Sequence, residues 1–189
     1  MKTLILASGS PRRCELLEQA GIPYIAAPAN ADESVPCDFT PEQAVTELAR
    51  RKALAAQKEY PEELILAADT LVALDGQTLG KPADEKEAEE MLRRLSGRTH
   101  EVFTGVAIRC GNRENAFFER TLVAFYELDT CDIEEYIKTG EPMDKAGAYG
   151  IQGRGCLFVR QLEGDYFNVV GLPIARVCRE LKAFQAVKK

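Results

Sequence analysis

The chain has 189 residues, of which 46% are hydrophobic and 29% charged, the composition of a globular protein that buries one substantial core. Its formal net charge of −6 argues against general nucleic-acid binding, for which a basic surface is expected. The apolar start at residues 4–7 is too short for a secretory signal, and no segment approaches the roughly 20 apolar residues of a membrane span. We therefore expect a cytoplasmic protein without nucleic-acid or membrane partners, folded as a single domain over residues 1–189 or as two lobes of that domain around a cleft.

The six cysteines are scattered without a Cys-x-x-Cys spacing, so the sequence indicates neither a zinc knuckle nor a redox motif. We expect reduced thiols that mostly fill the core. His100 is the only histidine, which leaves no room for a His-rich metal site and argues against a Ser-His-Asp triad; we expect it at the surface. Hydrolysis by this chain would therefore depend on carboxylates, lysines and a metal ion.

The first predicted elements are a strand over residues 4–7 and a helix that begins at Pro11, separated by a turn of small residues. Pro11 suits the first helical position because its ring fixes φ, which makes Ser10 the N-cap. The N–H groups at such a helix start attract phosphate, and Arg12 and Arg13 add forked donors for phosphate oxygens. This pattern favours a phosphorylated substrate.

The same turn has an ordinary interpretation. Ser-Pro is common at helix starts, and an arginine pair in a first helical turn is usually solvated. The segment is neither a Walker loop nor a Gly-x-Gly-x-x-Gly motif. Spacing alone leaves both interpretations open.

The next predicted elements are a short strand over residues 22–27, a polar loop over residues 30–38 and a long helix. Residues 40–43 have the form of a capping box with Thr40 as the cap. Small apolar residues then recur at helical spacing, so we predict a helix to about Lys58.

Residues 64–68 are predicted to form a buried strand that ends at Asp69 and continues in extended form. The dipeptide Asp75-Gly76 is typical of a two-residue hairpin turn, which places a hairpin at residues 71–79.

Capping residues, apolar spacing and β-branched content predict the remaining elements. These are a helix from Asp84 to Gly97, paired strands over residues 101–109 and 117–128, a helix over 129–138 closed by Gly140, a hairpin of residues 156–162 and 166–170, and a helix from Pro173. The glycine-rich residues 146–155 allow backbone to approach a ligand closely. Hairpins and crossovers together predict an α/β fold, a mixed twisted sheet flanked by helices with a substrate cleft.

Five further residues have side chains suited to phosphate or metal chemistry, namely Glu33, Lys52, Asp69, Lys81 and Gln152. Asp69 follows a strand, where functional groups gather in α/β proteins, and an Asx turn with Thr70 and Leu71 is the less favoured alternative. Glu33 in a loop and Lys52 in a basic helical turn are by default solvated. Lys81 lies on a constrained loop, and the amide of Gln152 both donates and accepts hydrogen bonds.

Together these residues meet the needs of phosphoanhydride cleavage. Cationic side chains neutralise the polyphosphate, and carboxylates hold a divalent cation such as Mg²⁺ or Mn²⁺. One carboxylate can deprotonate a water, and an amide can read a base. The reaction needs no serine or cysteine nucleophile.

Several short motifs run along nearly the whole chain. They are Ser8-x-Ser10-Pro11-Arg12-Arg13, Glu33, Ala49-Arg50-Arg51-Lys52-Ala53, Ala68-Asp69-Thr70, Gly80-Lys81-Pro82, Ser96-Gly97, Thr104-Gly105, Asp144-Lys145-Ala146-Gly147-x-Tyr149-Gly150-Ile151-Gln152-Gly153 and Val170-Gly171-Leu172-Pro173. In this order they resemble the motifs of Maf-type nucleotide pyrophosphatases. One such motif would be weak evidence, but so many in register are not expected by chance.

The resemblance implies a house-cleaning enzyme that hydrolyses a nucleoside triphosphate to the monophosphate and pyrophosphate with a divalent metal. It also implies a homodimer and a fold similar to that of inosine triphosphate pyrophosphatases. Asp69 matches the proton acceptor of the family. Arg12, Thr70 and Gln152 match its substrate-specificity positions, and in this combination they resemble the dTTP/UTP branch.

The chemistry of the remaining residues extends these expectations. We expect Glu33 and Asp69 to bind the metal and five side chains to bind the phosphates, namely Ser8, Arg12, Arg13, Lys52 and Lys81. Gln152, with Thr70 nearby, suits the O4 and N3–H edge of thymine or uracil because an amide supplies both an acceptor and a donor.

Two other functions remain as alternatives. The same pocket would serve a nucleotide-binding regulator of cell division with little turnover, although paired carboxylates have little purpose in a pure binder. A phosphatase of the haloacid dehalogenase type is suggested by Asp69, but its Asp-x-Asp motif is missing because the third position is Leu71.

Overall fold

The computed structural model describes residues 3–186. Its helices are α1 Pro11–Gln19, α2 Pro41–Glu59, α3 Glu85–Leu95, α4 Thr130–Ile137, α5 Tyr166–Val170 and α6 Ile174–Ala186. Its strands are β1 Leu4–Leu6, β2 Ile25–Ala26, β3 Leu64–Leu74, β4 Gln77–Leu79, β5 Thr99–Cys110, β6 Arg113–Phe125 and β7 Val159–Glu163. Short 3₁₀ turns lie at Glu141–Asp144, Ala146–Ala148 and Arg154–Phe158. Within residues 3–186, no helix combines the length and the apolar character that crossing a membrane requires.

The strands form one sheet in the order β2-β1-β3-β5-β6-β7, with β4 paired to β3. Strand β1 lies parallel to both β2 and β3, and its Leu6 pairs with Ala26 and with Leu66. Strands β4 and β7 are antiparallel to β3 and β6, respectively. This mixed sheet with its helices confirms the predicted α/β class.

The chain divides into two compact units. The first unit comprises the described residues up to Asp69, Thr104–Glu119 and the described residues from Gly171 on. The second unit comprises Thr70–Phe103 and Arg120–Val170. Strands β3, β5 and β6 therefore each contribute residues to both units.

One cluster in the core of the first unit, between α2 and the strands, is built largely from alanine. Ala49, Ala53 and Ala56 share one face of α2 and pack with small and aliphatic residues of the strands. The helix lies so close to β5 that a Cβ atom on Gly105 would be 2.2 Å from the carbonyl oxygen of Val45. Only glycine fits there, because the contact is with backbone that cannot turn aside.

Two elements with strong local signals lie where the sequence predicts them. At the start of α2, the Thr40 hydroxyl accepts from the Gln43 N–H, and the Gln43 side chain accepts from the Thr40 N–H. This is the predicted capping box. Asp75 and Gly76, both at positive φ, form the predicted turn between β3 and β4.

The core of the second unit contains large aliphatic and aromatic side chains, and His100 lies inside it. Only 1% of His100 is exposed, its Nε2 is 2.8 Å from the Tyr149 hydroxyl, and its ring packs edge-on against Phe125. The expectation of a surface histidine is wrong, because its polar partner lies far along the chain. Burial lowers the pKa of His100 to about 4, so the ring is neutral at pH 7.

The prediction that residues 166–170 form the second strand of the final hairpin is wrong, because these residues form α5. Strand β7 pairs with β6 instead. Asp165 accepts a hydrogen bond at the start of α5, and the buried Asn168 donates to the Val102 carbonyl and to the Thr121 hydroxyl, each at 2.9 Å. These contacts with distant residues outweigh the strand preference of the segment.

The cysteines are free thiols, and none of the six is buried. The exposed cysteines are Cys37, Cys131 and Cys156, and the half-buried ones are Cys14, Cys110 and Cys178. The expectation that they mostly fill the core is therefore wrong.

Candidate active site

The turn between β1 and α1 is organised by the hydroxyl group of Ser8, which is buried. The Ser8 Oγ accepts hydrogen bonds from Arg13 Nη1 at 3.0 Å and from the Ser10 N–H at 3.2 Å. Ser10 is the N-cap of α1, as predicted, but its side chain makes no capping hydrogen bond. The acceptor that orders this helix start is therefore Ser8, two residues earlier than the sequence indicates.

Arg13 is anchored on two sides. Its Nε donates to the carbonyl of Gly171 at 2.8 Å, just before α6, while its Nη1 donates to Ser8. Burial lowers the pKa of Arg13, the nearby Asp69 carboxylate opposes that change, and the charge of Arg12 adds to it. Two guanidinium groups in one helical turn give this part of the first unit a high density of positive charge, which suits an anionic ligand.

Lys52 of α2 connects two carboxylates. Its Nζ lies 2.6 Å from Asp69 Oδ1 and 2.8 Å from Glu33 Oε1. Lys52 and Asp69 are mostly buried, with 16% and 13% of their side chains exposed, whereas Glu33 is largely exposed on its loop. The structure thus brings together three residues that the sequence places 17 or more positions apart, and it contradicts the solvated interpretation of Lys52.

The two carboxylates decide the charge of Lys52. Burial disfavours the ammonium form, but the charges and hydrogen bonds of Asp69 and Glu33 outweigh this effect and raise the pKa of Lys52. Lys52 is therefore a fixed cation at neutral pH. It is not a candidate for the general base, which leaves the carboxylates for that role.

Asp69 lies inside β3, whereas the sequence predicts it at the end of a strand. The pairing of β1 with β3 ends at Leu66, three residues before Asp69. The chain continues as regular strand through Thr70 to Leu74, so an Asx turn at Asp69 is excluded. The carboxylate instead meets the ammonium group of Lys52.

The remaining predicted residues, Thr70, Lys81 and Gln152, belong to the second unit. Thr70 is half-buried in β3, and Lys81 and Gln152 are exposed. Lys81 follows Gly80, whose carbonyl accepts a hydrogen bond from the Gly147 N–H at 3.0 Å. The Gly80 loop and the start of the glycine-rich segment are therefore in contact within this unit.

The glycines of residues 146–155 are surrounded by the protein's own side chains. A Cβ atom on Gly153 would lie 2.3 Å from the carboxylate oxygens of Glu141, and one on Gly150 would lie 2.5 Å from Cε of Lys145. These glycines therefore allow Glu141 and Lys145 to approach the backbone. No sequence signal marks Glu141, because an acidic residue after Gly140 matches no recognised spacing.

The predicted metal ligands Glu33 and Asp69 carry carboxylates, the kind of oxygen ligand that a hard divalent cation takes. Both carboxylates already lie within hydrogen-bond distance of one positive centre, the Lys52 ammonium. Among residues 3–186 no group of three or more His, Cys, Asp or Glu side chains is arranged to hold a metal ion. Two carboxylates suit Mg²⁺, which proteins commonly bind with one or two carboxylates and the phosphates of the substrate.

Comparison with known proteins places the chain in a family. The model of the family described as Maf-like protein matches residues 3–184. The chain belongs to this family, which confirms the resemblance read from its motifs.

The chain is also similar to two proteins named dTTP/UTP pyrophosphatase. The one from Bacillus cytotoxicus is 51% identical over 98% of this chain and 97% of its own length. The one from Bacillus pumilus is 50% identical over 97% of both chains. Among solved structures, the Staphylococcus aureus Ham1 protein matches with a TM-score of 0.47 and 15% identity, covering 66% of this chain and 72% of its own.

Proposed function

We propose that this chain is a nucleoside triphosphate pyrophosphatase that hydrolyses dTTP and UTP to the monophosphate and pyrophosphate, a house-cleaning activity on the nucleotide pool. Relatives that carry this activity in their names are half identical to it over nearly the whole length. The observation in the structure that best supports the proposal is the cluster of Glu33, Lys52 and Asp69 in the same unit as the Ser8 and Arg13 anchor.

Asp69 is the proton acceptor in this proposal. It takes a proton from a water whose oxygen forms a bond to the α-phosphorus, while the bond from that phosphorus to the bridging oxygen breaks and pyrophosphate leaves with the electron pair. Lys52 holds the Asp69 carboxylate in place at 2.6 Å. It also offsets negative charge on the phosphates.

The phosphates are bound by Ser8, Arg12, Arg13, Lys52 and Lys81. Glu33 and Asp69 hold Mg²⁺ or Mn²⁺, which when bound neutralises phosphate charge. Arg12, Thr70 and Gln152 select the nucleotide, and the Gln152 amide pairs with the O4 and N3–H edge of thymine or uracil. The same proposal includes a cytoplasmic location and a homodimer. Sedimentation of the purified protein tests the homodimer directly.

Pyrophosphate release from dTTP, UTP, dCTP and dGTP in the presence of Mg²⁺ or Mn²⁺ tests this function. We expect turnover of the first two and a loss of kcat of about 10³-fold in Asp69→Asn, the range for removal of a general base. Binding of dTTP without pyrophosphate release would overturn the proposal and favour the regulator alternative. Full turnover by Asp69→Asn with an unchanged pH profile would remove Asp69 from its role.

A further inference from the structure

We infer that Glu141 is a positioning residue that holds the loop carrying Gln152, defined as residues 150–155, and thereby sets nucleotide selectivity. The effect on nucleotide selectivity rests on the proposed function. The holding of the loop by Glu141 rests only on contacts within the second unit. Glu141 begins the 3₁₀ turn Glu141–Asp144, directly after Gly140 at a positive φ of 72°.

One end of the Gln152 loop is tied to the Glu141 carboxylate directly. Oε2 accepts from the Arg154 N–H at 3.0 Å, and Oε1 accepts from the Gly155 N–H at 3.4 Å. The carboxylate thus accepts from two successive backbone N–H groups, and the hydrogen bond from Arg154 is the shorter of the two.

The other end of the loop is tied to the same carboxylate through Tyr136. The Tyr136 hydroxyl accepts from the Gly150 N–H at 3.0 Å and donates to Glu141 Oε1 at 2.9 Å. Chains of hydrogen bonds of this kind strengthen one another. Burial raises the pKa of Tyr136, and the negative charge of Glu141 adds to that effect, so the hydroxyl keeps the proton it donates.

The glycines of the loop make these contacts possible. A Cβ atom on Gly153 would clash with the Glu141 carboxylate. A Cβ atom on Gly155 would lie 3.0 Å from the Tyr136 hydroxyl and 2.7 Å from the Gly150 carbonyl oxygen. Only residues 151–153 lie between the two anchored ends. Gln152 is the middle residue of that span, so its position follows from the anchors.

Glu141→Gln tests the inference with little change of shape. The glutamine amide has an NH₂ group in place of one of the two acceptor oxygens. In one orientation this group faces the Arg154 N–H, and in the other it faces the Tyr136 hydroxyl and the Gly155 N–H. Glu135→Gln is the matched control, because the exposed Glu135 carboxylate lies 3.7 Å from the Arg154 guanidinium and makes no hydrogen bond to the backbone of residues 150–155. Melting temperatures of both variants are recorded alongside.

Two measurements decide the outcome. Amide hydrogen exchange should become at least about tenfold faster at Arg154 and Gly155 in Glu141→Gln and stay unchanged in Glu135→Gln. In Glu141→Gln, KM for dTTP should rise about tenfold while kcat stays within about threefold of wild type. The preference for dTTP over dCTP, measured as the ratio of their kcat/KM values, should fall at least about fivefold. In a Gln152→Ala background, Glu141→Gln should change that preference no further.

Unchanged exchange, or faster exchange with unchanged dTTP preference, would overturn the inference. A loss of kcat equal for all nucleotides would also overturn it, because it would indicate a general structural defect. If the wild-type protein released no pyrophosphate from dTTP, the proposed function would fail instead, and the exchange measurement would still decide whether Glu141 holds the loop.

Discussion

The two units of the chain hold their candidate functional side chains by different means. In the first unit, α2 presents a face of alanines to the strands, and Lys52 on the same helix forms ion pairs with two carboxylates. In the second unit, a core of large aliphatic and aromatic side chains supports a loop held by backbone hydrogen bonds to Glu141. Small residues between α2 and the strands thus allow this helix to approach the sheet closely, whereas the large core residues of the second unit support an irregular segment.

The difference follows from what each unit has to place. A lysine side chain reaches a buried strand carboxylate only if its helix runs close to the sheet, which alanine and Gly105 permit. A loop without regular structure needs acceptors for its N–H groups, and Glu141 and Tyr136 supply them. Substitutions that alter helix approach should therefore affect the first unit most, and changes of buried polarity should affect the second.

The largest effect is expected for Gly105→Ala. The new Cβ would meet the carbonyl carbon and oxygen of Val45 at 2.3 and 2.2 Å, so α2 or β5 must move. We expect a loss of roughly 4 kcal/mol in the free energy of unfolding, measured with urea. Gly80→Ala is the control, because its Cβ would meet no described atom within 4 Å. Equal stability of the two variants would mean that close helix approach is not a constraint in the first unit.

The second prediction concerns His100 and pH. Its pKa in the folded state is about 4, below the usual 6.5, so between these values the unfolded chain binds a proton that the folded chain does not. The free energy of unfolding should therefore fall as the pH drops from 6.5 toward 4, by about 3 kcal/mol from this residue. His100→Gln should lack this part of the decline in urea titrations at several pH values. Parallel curves for variant and wild type would contradict the burial of a neutral ring.

The smallest of the three effects is expected for Lys52→Met. Removing the cation leaves Asp69, which is mostly buried, and Glu33 without their shared partner, at a cost of about 2 kcal/mol at pH 7.5. Because the two carboxylates raise the pKa of Lys52 above 10.5, its stabilising effect is complete below pH 10.5, and the difference should narrow as the pH rises above that value. Lys58→Met, an exposed position on α2, should change stability by less than about 0.5 kcal/mol. A constant deficit at all pH values would point to lost packing of the lysine stem.

Elements that are determined by neighbouring residues could be predicted from the sequence. The Thr40 capping box and the Asp75-Gly76 turn depend on residues within a few positions of each other, and both are where expected. The helix α5 could not be predicted, because its conformation depends on hydrogen bonds from Asn168 to Thr121 and Val102. These partners lie 47 and 66 positions earlier in the chain. Apolar β-branched residues alone favoured a strand.

The candidate site shows the same limit. Motif order identified Glu33, Lys52 and Asp69, but only the fold shows that one ammonium group touches both carboxylates. The buried His100 finds its polar partner in Tyr149, and Gly153 leaves room for Glu141. Neither pair has a characteristic spacing in the sequence. Long-range pairing of polar groups is therefore what sequence patterns miss in this protein.

The hydroxyl group of Ser8 has a consequence for any ligand that reaches it. A serine oxygen has two lone pairs and one hydrogen, and here Arg13 and the Ser10 N–H use both lone pairs. Toward a ligand, Ser8 can act only as a donor. The Ser8 hydroxyl therefore offers only its hydrogen atom to a ligand, and it favours oxygen atoms that carry no proton over hydroxyl or amino groups that must themselves donate.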